Sequence, residues 1–519
     1  MSLGTEDSFV PRSPNSYNAY NIIMKAIGFQ NFRKFEDFPK LTMGDIAIFV
    51  GGNNSGKSTT VKAIISVLTF LRNARYYASG NSKHILENNF FFNQNPYAHI
   101  GTFKRAKCNQ NSNNDLYFFI QIENYEFRIF VNGEGADVNS TFAKVERIVL
   151  KDLNTLFEFD IDFKYDKITA SFNKNTHVFE NNKDYIALVK RINENKNPRT
   201  REKLKDEIFY RFPVVDEKKV LIAKLSEVFS KRRMIGGPLI SAILYNSSYY
   251  FFEINDDEAF PPNSETSIYR FLRNYVFRIC NQLDRLLWSR PIVEYIYAHA
   301  ASQMVLYSST DNNYLSKTIH EFAELREDKD KIVFDFVREW MNIFEIGYDF
   351  KVESIGGEAH TFSIIDWQGR EMPLADKGMG SIQLMILILR IAIIINERQD
   401  FSVRYRTPIT VIVEEPEQNL HPKMQSQLVD FFTYVFENYS IKFIIETHSE
   451  YLIRKTQVTV AKKKYQNEEE LREKSPYRVY YFPTDDVPYE MNYRTDGKFS
   501  NKFGNGFYDE ASNLSFELF

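Results

Sequence analysis

The sequence predicts an α/β fold: a mixed, largely parallel sheet with an antiparallel β-subdomain and a helical insertion. Three observations carry this reading. Short apolar runs such as "DIAIFV", "TVIVEE" and "IKFIIET" read as buried parallel strands, since a strand covered on both faces needs no polar alternation. Residues 115–131 ("DLYFFIQIENYEFRIFV") and 157–169 ("FEFDIDFKYDKIT") alternate with period two, as an antiparallel meander with one solvated face does. Between roughly 180 and 345 apolar residues recur at helical spacing instead.

Taken in chain order, residues 1–20 are polar and lack the basic start and apolar core of a signal peptide, so a disordered arm is expected there. Residues 21–179 are expected to form a first lobe. In it "IIMKAIGFQNFRKF" and "DIAIFV" supply strands, and "VKAIISVLTF" supplies an amphipathic helix. The segment 180–345 is expected to be a helical insertion. Its apolar positions are Leu221, Leu225, Val228 and Phe229, then Ile268, Leu272, Val276, Ile279 and Leu283, then Ile332, Phe336 and Ile343, with Gly347 as a stop. It has no sustained heptads, which argues against a long coiled coil. Residues 346–519 return to strand and helix text as a second lobe, so the sheet begun near residue 50 is completed more than 350 positions later.

Charge and composition exclude several classes. Lys plus Arg number 65 against 68 Asp plus Glu, and a net charge of −3 gives no global attraction for nucleic acid. Any such contact has to come from local basic patches such as "KRR" (231–233) or "KKK" (462–464), runs that in most proteins are solvated surface. Two cysteines, Cys108 and Cys280, form neither a disulfide framework nor a metal motif, which fits a reducing, cytoplasmic compartment. The longest apolar stretch, Leu384 to Ile395, is interrupted by Arg390 and falls short of the roughly 20 residues of a membrane span, so no membrane is expected.

Four motifs carry chemistry. In "VGGNNSGKST" the residues Gly51, Gly56, Lys57 and Ser58 satisfy GxxxxGK[ST] between a strand and a helix, the context of a P-loop NTPase. Glycines let backbone N–H groups curl around phosphate, Lys57 suits the β and γ phosphates, and Ser58 suits Mg²⁺. "TVIVEEPEQNLHP" ends a strand on Glu414, placed for the Mg²⁺ shell, and Glu415, placed to polarise an attacking water. His448 ends the following strand, where a γ-phosphate sensor is needed, although a single histidine at a strand end is more often structural. In "LADKGMGSIQLMILIL" the residues Gly378, Gly380 and Ser381 precede an apolar helix whose N-terminus can face phosphate or can simply follow a flexible turn.

Together "NFRKF", "GGNNSGKSTT", "LADKGMGSIQL", "VIVEEPEQNLHP" and "IIETHSEYLI", in this order, resemble the ABC-type ATPase heads of the SMC, RecF and overcoming-lysogenization-defect group. The resemblance is nearest to the AAA-type ATPases of anti-phage defence operons, such as the Septu ATPase. It covers residues 20–130 and 335–515, including "GNGFYDEASNLSF", and leaves the middle uncovered. By position it implies an ATP-binding Walker A loop at Gly51, Asn53, Asn54, Ser55, Gly56, Lys57, Ser58 and Thr59, and Mg²⁺ on Ser58 and Glu414. It further implies a catalytic Glu415, a switch histidine at His448, a D-loop at Gln418, Asn419, Leu420 and His421, and a signature at Gly378, Gly380 and Ser381. Such heads pair so that one protomer's signature covers ATP on the other's Walker A, implying a homodimer or higher oligomer. Glu414 departs from the commoner Asp, the signature is not LSGGQ, and a Q-loop falls near "AHIGTF" (98–103).

The resemblance implies an ATP-driven switch in a defence complex whose nuclease is a separate chain. A DNA-repair or chromosome-maintenance ATPase of RecF or SMC type that binds DNA itself is the alternative. Only 71 residues follow His448, too few for a C-terminal Toprim nuclease. Asp160 and Asp162 in "FDIDF" share a strand face and are expected on its wet side rather than in a nuclease centre.

Overall fold

A computed structural model describes residues 24–78, 84–108, 115–132, 137, 139–180, 182–211, 218–229, 236–256, 266–288, 293–296, 306–308, 313–356, 359–399, 409–504 and 507–509. The expected arm at 1–20, the "KRR" run and part of "GNGFYDEASNLSF" lie outside the described residues.

The central sheet has six strands in the order Val293–Ile296, Thr410–Glu414, Lys442–Thr447, Ile46–Gly51, Tyr477–Phe482 and Tyr489–Met491. All pairings are parallel except the last. Its four inner strands are buried on both sides, which is why their text is largely apolar. Ala47, Phe49, Ile412, Ile444, Tyr480 and Phe482 face one core. Ile46, Ile48, Val50, Val411, Val413 and Ile445 face the other.

The first core is closed by the helix Lys57–Asn73 and by a nine-stranded antiparallel sheet that includes Met24–Phe32 and Phe35–Thr42. The predicted meander is here, as Leu116–Ile122, Tyr125–Val131, Phe157–Asp162 and Lys167–Phe172. The second core is closed by helices Lys331–Ile343, Met379–Gln399, Pro422–Tyr439 and Glu450–Lys463.

The segment 180–345 departs from an all-helical insertion. It holds the helices Leu239–Asp256, Thr266–Trp288 and Lys331–Ile343, but also strands that complete both sheets. Leu221, expected on a helix, lies on the strand Lys219–Lys224, which pairs with Lys167–Phe172, and the helix Leu225–Val228 starts only after it. Val293–Ile296 joins the edge of the parallel sheet beside Thr410–Glu414. Val276, Ile279 and Leu283 face the core from one helix as expected.

The helix Met379–Gln399 is longer than the apolar stretch suggested. Over Met379–Arg398 its mean hydropathy is 2.0, enough by length and composition to cross a membrane, yet 72% of that window is buried inside the protein. Arg390 is accommodated by ion pairs to Glu294, at 2.5 Å, and Glu321.

Candidate active site

The loop after Ile46–Gly51 opens onto a cleft of about 780 Å³ lined by residues 53–59, Glu415, Glu446 and His448. Arg33, Lys34, Lys104, Arg105 and Lys107 form its outer wall, which gives the mouth a strongly positive character. Lys104 and Arg105 follow directly on the "AHIGTF" stretch, on the short helix Phe103–Ala106.

Local sequence explains the loop's shape. Gly56 has φ +107°, in the left-handed region, and a Cβ there would lie 2.4 Å from the Phe35 ring. Phe35 and the preceding Lys34 come from the antiparallel sheet and brace the loop. Lys34 Nζ donates to the carbonyls of Ser55 at 3.0 Å and of Thr484. "NFRKF" therefore acts as a prop, turning through Asn31 and Arg33 at φ +55° and +53°. Burial, and secondarily repulsion from Arg105, hold the Arg33 guanidinium below its usual pKa.

Lys57 is buried, and its ammonium donates to Gly51 O at 3.0 Å and Gly52 O at 2.9 Å and lies 3.1 Å from His448 Nε2. Burial lowers its pKa, opposed first by the neighbouring Glu446. Glu415 follows the strand Thr410–Glu414 at φ +42°, a conformation unusual for a side chain of this size. Its backbone N–H donates to Glu446 O at 2.6 Å. Its carboxylate meets His448 Nε2 at 3.2 Å and Gln418 Nε2. Lys57, His448, Glu415 and Gln418 thus form one polar chain across the cleft.

Two acids in this chain of contacts are marked by none of the sequence motifs. Glu446 lies on the strand Lys442–Thr447, and Ser58 Oγ donates to its Oε1 at 2.8 Å. Burial and the neighbouring Glu414 push its carboxyl up to about 7, against the Ser58 hydrogen bond and Lys57. Glu417 is buried too, and its Oε1 accepts from the backbone N–H of His448 at 2.7 Å. The signal is present in "EEPEQ" and "ETHS": acids within two residues of positions that the motifs mark.

Glu414 is not among the residues lining the cleft; it stands across from Glu446 in strand register. Of the residues the sequence marks as signature and D-loop, Gln418 reaches the cleft through Glu415, while Gly380 lies against Asn419 and Leu420 away from the cleft lining. Gly378 O caps the first turn of Met379–Gln399 by accepting from Ser381 N at 2.9 Å. A Cβ on Gly380 would fall 2.5 Å from Asn419 O and 2.9 Å from Leu420 Cδ2, so this helix start rests directly on residues 418–421. Asn419 Nδ2 also donates to Gln383 Oε1 at 3.3 Å. His421 caps the next helix, Pro422–Tyr439, by accepting from Lys423 N.

Asp160 is engaged by Arg147 through two hydrogen bonds of 2.8 and 2.6 Å, and Asp162 accepts from Tyr165 N at 2.9 Å. Among the described residues no group of three His, Cys, Asp or Glu forms a cluster fit for a metal. In the cleft the fit for Mg²⁺ comes instead from a hydroxyl and carboxylates: Ser58 Oγ beside Glu446, whose Oε2 is buried without a hydrogen-bond partner.

The chain matches the AAA ATPase domain over residues 24–453, most of its length, and belongs to that family. It is an ATPase of the AAA type. No curated protein matches the chain. Similar solved structures include an Smc head bound to the C-winged helix domain of ScpA (9% identity, 91% of this chain and 97% of that chain, TM-score 0.34). Others are an Smc head with an extended coiled coil bound to the C-terminal domain of ScpA from Pyrococcus furiosus (11%, 96% and 99%, 0.31) and the SMC head domain from Thermotoga maritima (10%, 90% and 98%, 0.30).

Proposed function

We propose that this ATPase binds and hydrolyses Mg²⁺-ATP in the cleft and works as a nucleotide-driven switch, paired head to head, for a separate nuclease in an anti-phage defence complex. The observation that carries the catalytic part is the convergence of Lys57, Ser58, Glu415 and His448 on one cleft from three separate chain segments. The loop N–H groups and Lys57 hold the phosphates, and Glu415 orients and deprotonates the attacking water. Ser58 and a strand-end carboxylate would hold Mg²⁺, which would supply charge neutralisation on the phosphates.

His448 supplies the sensing step. Its Nε2 has either one lone pair or one proton, so it accepts from Lys57 or donates to Glu415, not both. A phosphate that recruits Lys57 frees His448 for the acid or for the phosphate itself.

Pairing is supported by the contact of the helix start at Gly380 with Asn419 and Leu420, which sets the two segments side by side. A separate effector is supported by the Asp160–Arg147 pair, which engages the Asp160 carboxylate on the wet face of its strand. The defence role rests on the resemblance of the motifs.

Lys57→Ala is expected to lower ATP affinity at least about a hundredfold, since it removes the cation at the loop. Equilibrium binding of labelled ATP measures it. The purified parent should leave DNA and RNA uncut with Mg²⁺ or Mn²⁺, while the native operon restricts phage and loses restriction with Lys57→Ala. Undiminished ATP affinity in the folded variant rejects the site, and nucleic-acid cleavage by the parent alone rejects the separate effector.

A further inference from the structure

We infer that Glu446, rather than Glu414, is the carboxylate through which this site holds its divalent cation, together with Ser58. The inference rests on the nucleotide-site reading above and concerns which acid completes it.

Sheet order makes the first argument. The strand Lys442–Thr447 lies between the loop strand Ile46–Gly51 and the acid strand Thr410–Glu414. Glu446 is in register with Phe49 on one side and with Glu414 on the other. Neighbouring strands are about 4.8 Å apart, so Glu414 starts one strand spacing further from the loop. The first carboxylate that the loop's helix meets is Glu446.

Contact makes the second. Ser58 Oγ, a hydroxyl ligand suited to a hard cation, donates to Glu446 Oε1 at 2.8 Å. The third argument is an unmet need. The Glu446 side chain is 5% exposed, and its Oε2 is buried with no hydrogen-bond partner. A buried carboxylate oxygen without a donor is costly unless a cation or a proton meets it. Lys57 does not fill that role: its ammonium stands 4.0 Å away and spends its donors on Gly51 O, Gly52 O and His448. A divalent ion at Ser58 would take up the free oxygen, with Glu414 adding negative potential from behind.

The test is metal binding, read without turnover. Mn²⁺ is titrated by electron paramagnetic resonance into protein saturated with a non-hydrolysable ATP analogue, for the parent, Glu446→Gln, Glu446→Asp and Glu414→Gln. Analogue affinity is measured separately in chelator. Glu446→Gln keeps an acceptor for Ser58 and is expected to weaken Mn²⁺ at least about tenfold, with Glu414→Gln costing less than about threefold. Analogue affinity in chelator should be unchanged or improved, because a negative charge beside the phosphates is gone. Glu446→Asp retains the charge but withdraws it by one methylene, and is expected to lose Mn²⁺ affinity as well; it carries the comparison if the amide variant fails to fold. Parental Mn²⁺ affinity in the Glu446 variants, or an equal or larger loss in Glu414→Gln, overturns the assignment. Failure of the parent to bind the analogue at all rejects the underlying nucleotide site instead.

Discussion

Glu415 shows how a single residue is held ready. Its left-handed backbone costs on the order of 1–2 kcal/mol, which the bond from its N–H to Glu446 O and the contacts to His448 and Gln418 offset. Glu415→Gln preserves shape and removes the base, so hydrolysis is expected to fall at least about a hundredfold while ATP affinity stays within about threefold. Single-turnover hydrolysis and equilibrium binding on the same preparation separate the two. Equal hydrolysis by parent and variant would remove Glu415 from the chemistry. Gly56, Lys57, Ser58 and Glu415 were legible because the motif demands those residue types at those spacings. Glu446 and Glu417 were not, since their roles come from partners dozens or hundreds of positions away: Ser58 for one, the His448 backbone for the other.

At the scale of elements, strands buried on both faces and strands wet on one face each leave a pattern in the text, and both sheets were readable from it. What escaped was short. The six residues Lys219–Lys224 and the four of Val293–Ile296 are strands only because edges at Lys167–Phe172 and Thr410–Glu414 accept them. The start of Met379–Gln399 yields a sharper expectation. Gly380→Ala should gain about 1 kcal/mol of helix propensity, but a Cβ 2.5 Å from Asn419 O forces the helix off residues 418–421 at a cost of about 1–3 kcal/mol. Overpacking wins, so the melting temperature should drop and hydrolysis should fall while ATP affinity holds. An unchanged melting temperature would show that the contact yields freely.

A second element carries a pH dependence. His360, buried on the strand Ala359–Ile365, has its Nε2 3.0 Å from His320 Nδ1, with Glu324 beyond at 3.6 Å from His320 Nε2. Burial, then His320, lower its pKa below 6.5. The unfolded chain thus binds this proton at a higher pH than the native one, and stability is lost as pH falls from about 6.5 toward the lower native value. Thermal unfolding between about pH 7.5 and 5.5 should show a smaller loss in His360→Gln than in the parent. Parallel losses would mean that another group sets the slope.

For the whole molecule, the contact of signature and D-loop predicts complementation. Ser381→Arg should block the partner's cleft while leaving its own loop able to bind ATP, and Lys57→Ala has the opposite defect. Mixed after proven subunit exchange, the two should regain hydrolysis from one composite site per mixed pair, up to about a quarter of the parental rate if half of all pairs are mixed. No recovery would count against paired heads. The order of strands also governs how the molecule is made. Ile46–Gly51 is flanked in the sheet by two strands, Lys442–Thr447 and Tyr477–Phe482, that leave the ribosome roughly 400 residues later. At about 5–20 residues per second, that is a delay on the order of 20–80 s. Throughout it an apolar strand waits unpaired, while the antiparallel sheet, complete by Lys224, is free to close. The lining of the cleft runs to His448, so ATP held there cannot assist the nascent chain before that residue has emerged, and until then any protection of this strand has to come from the segments already made or from a chaperone.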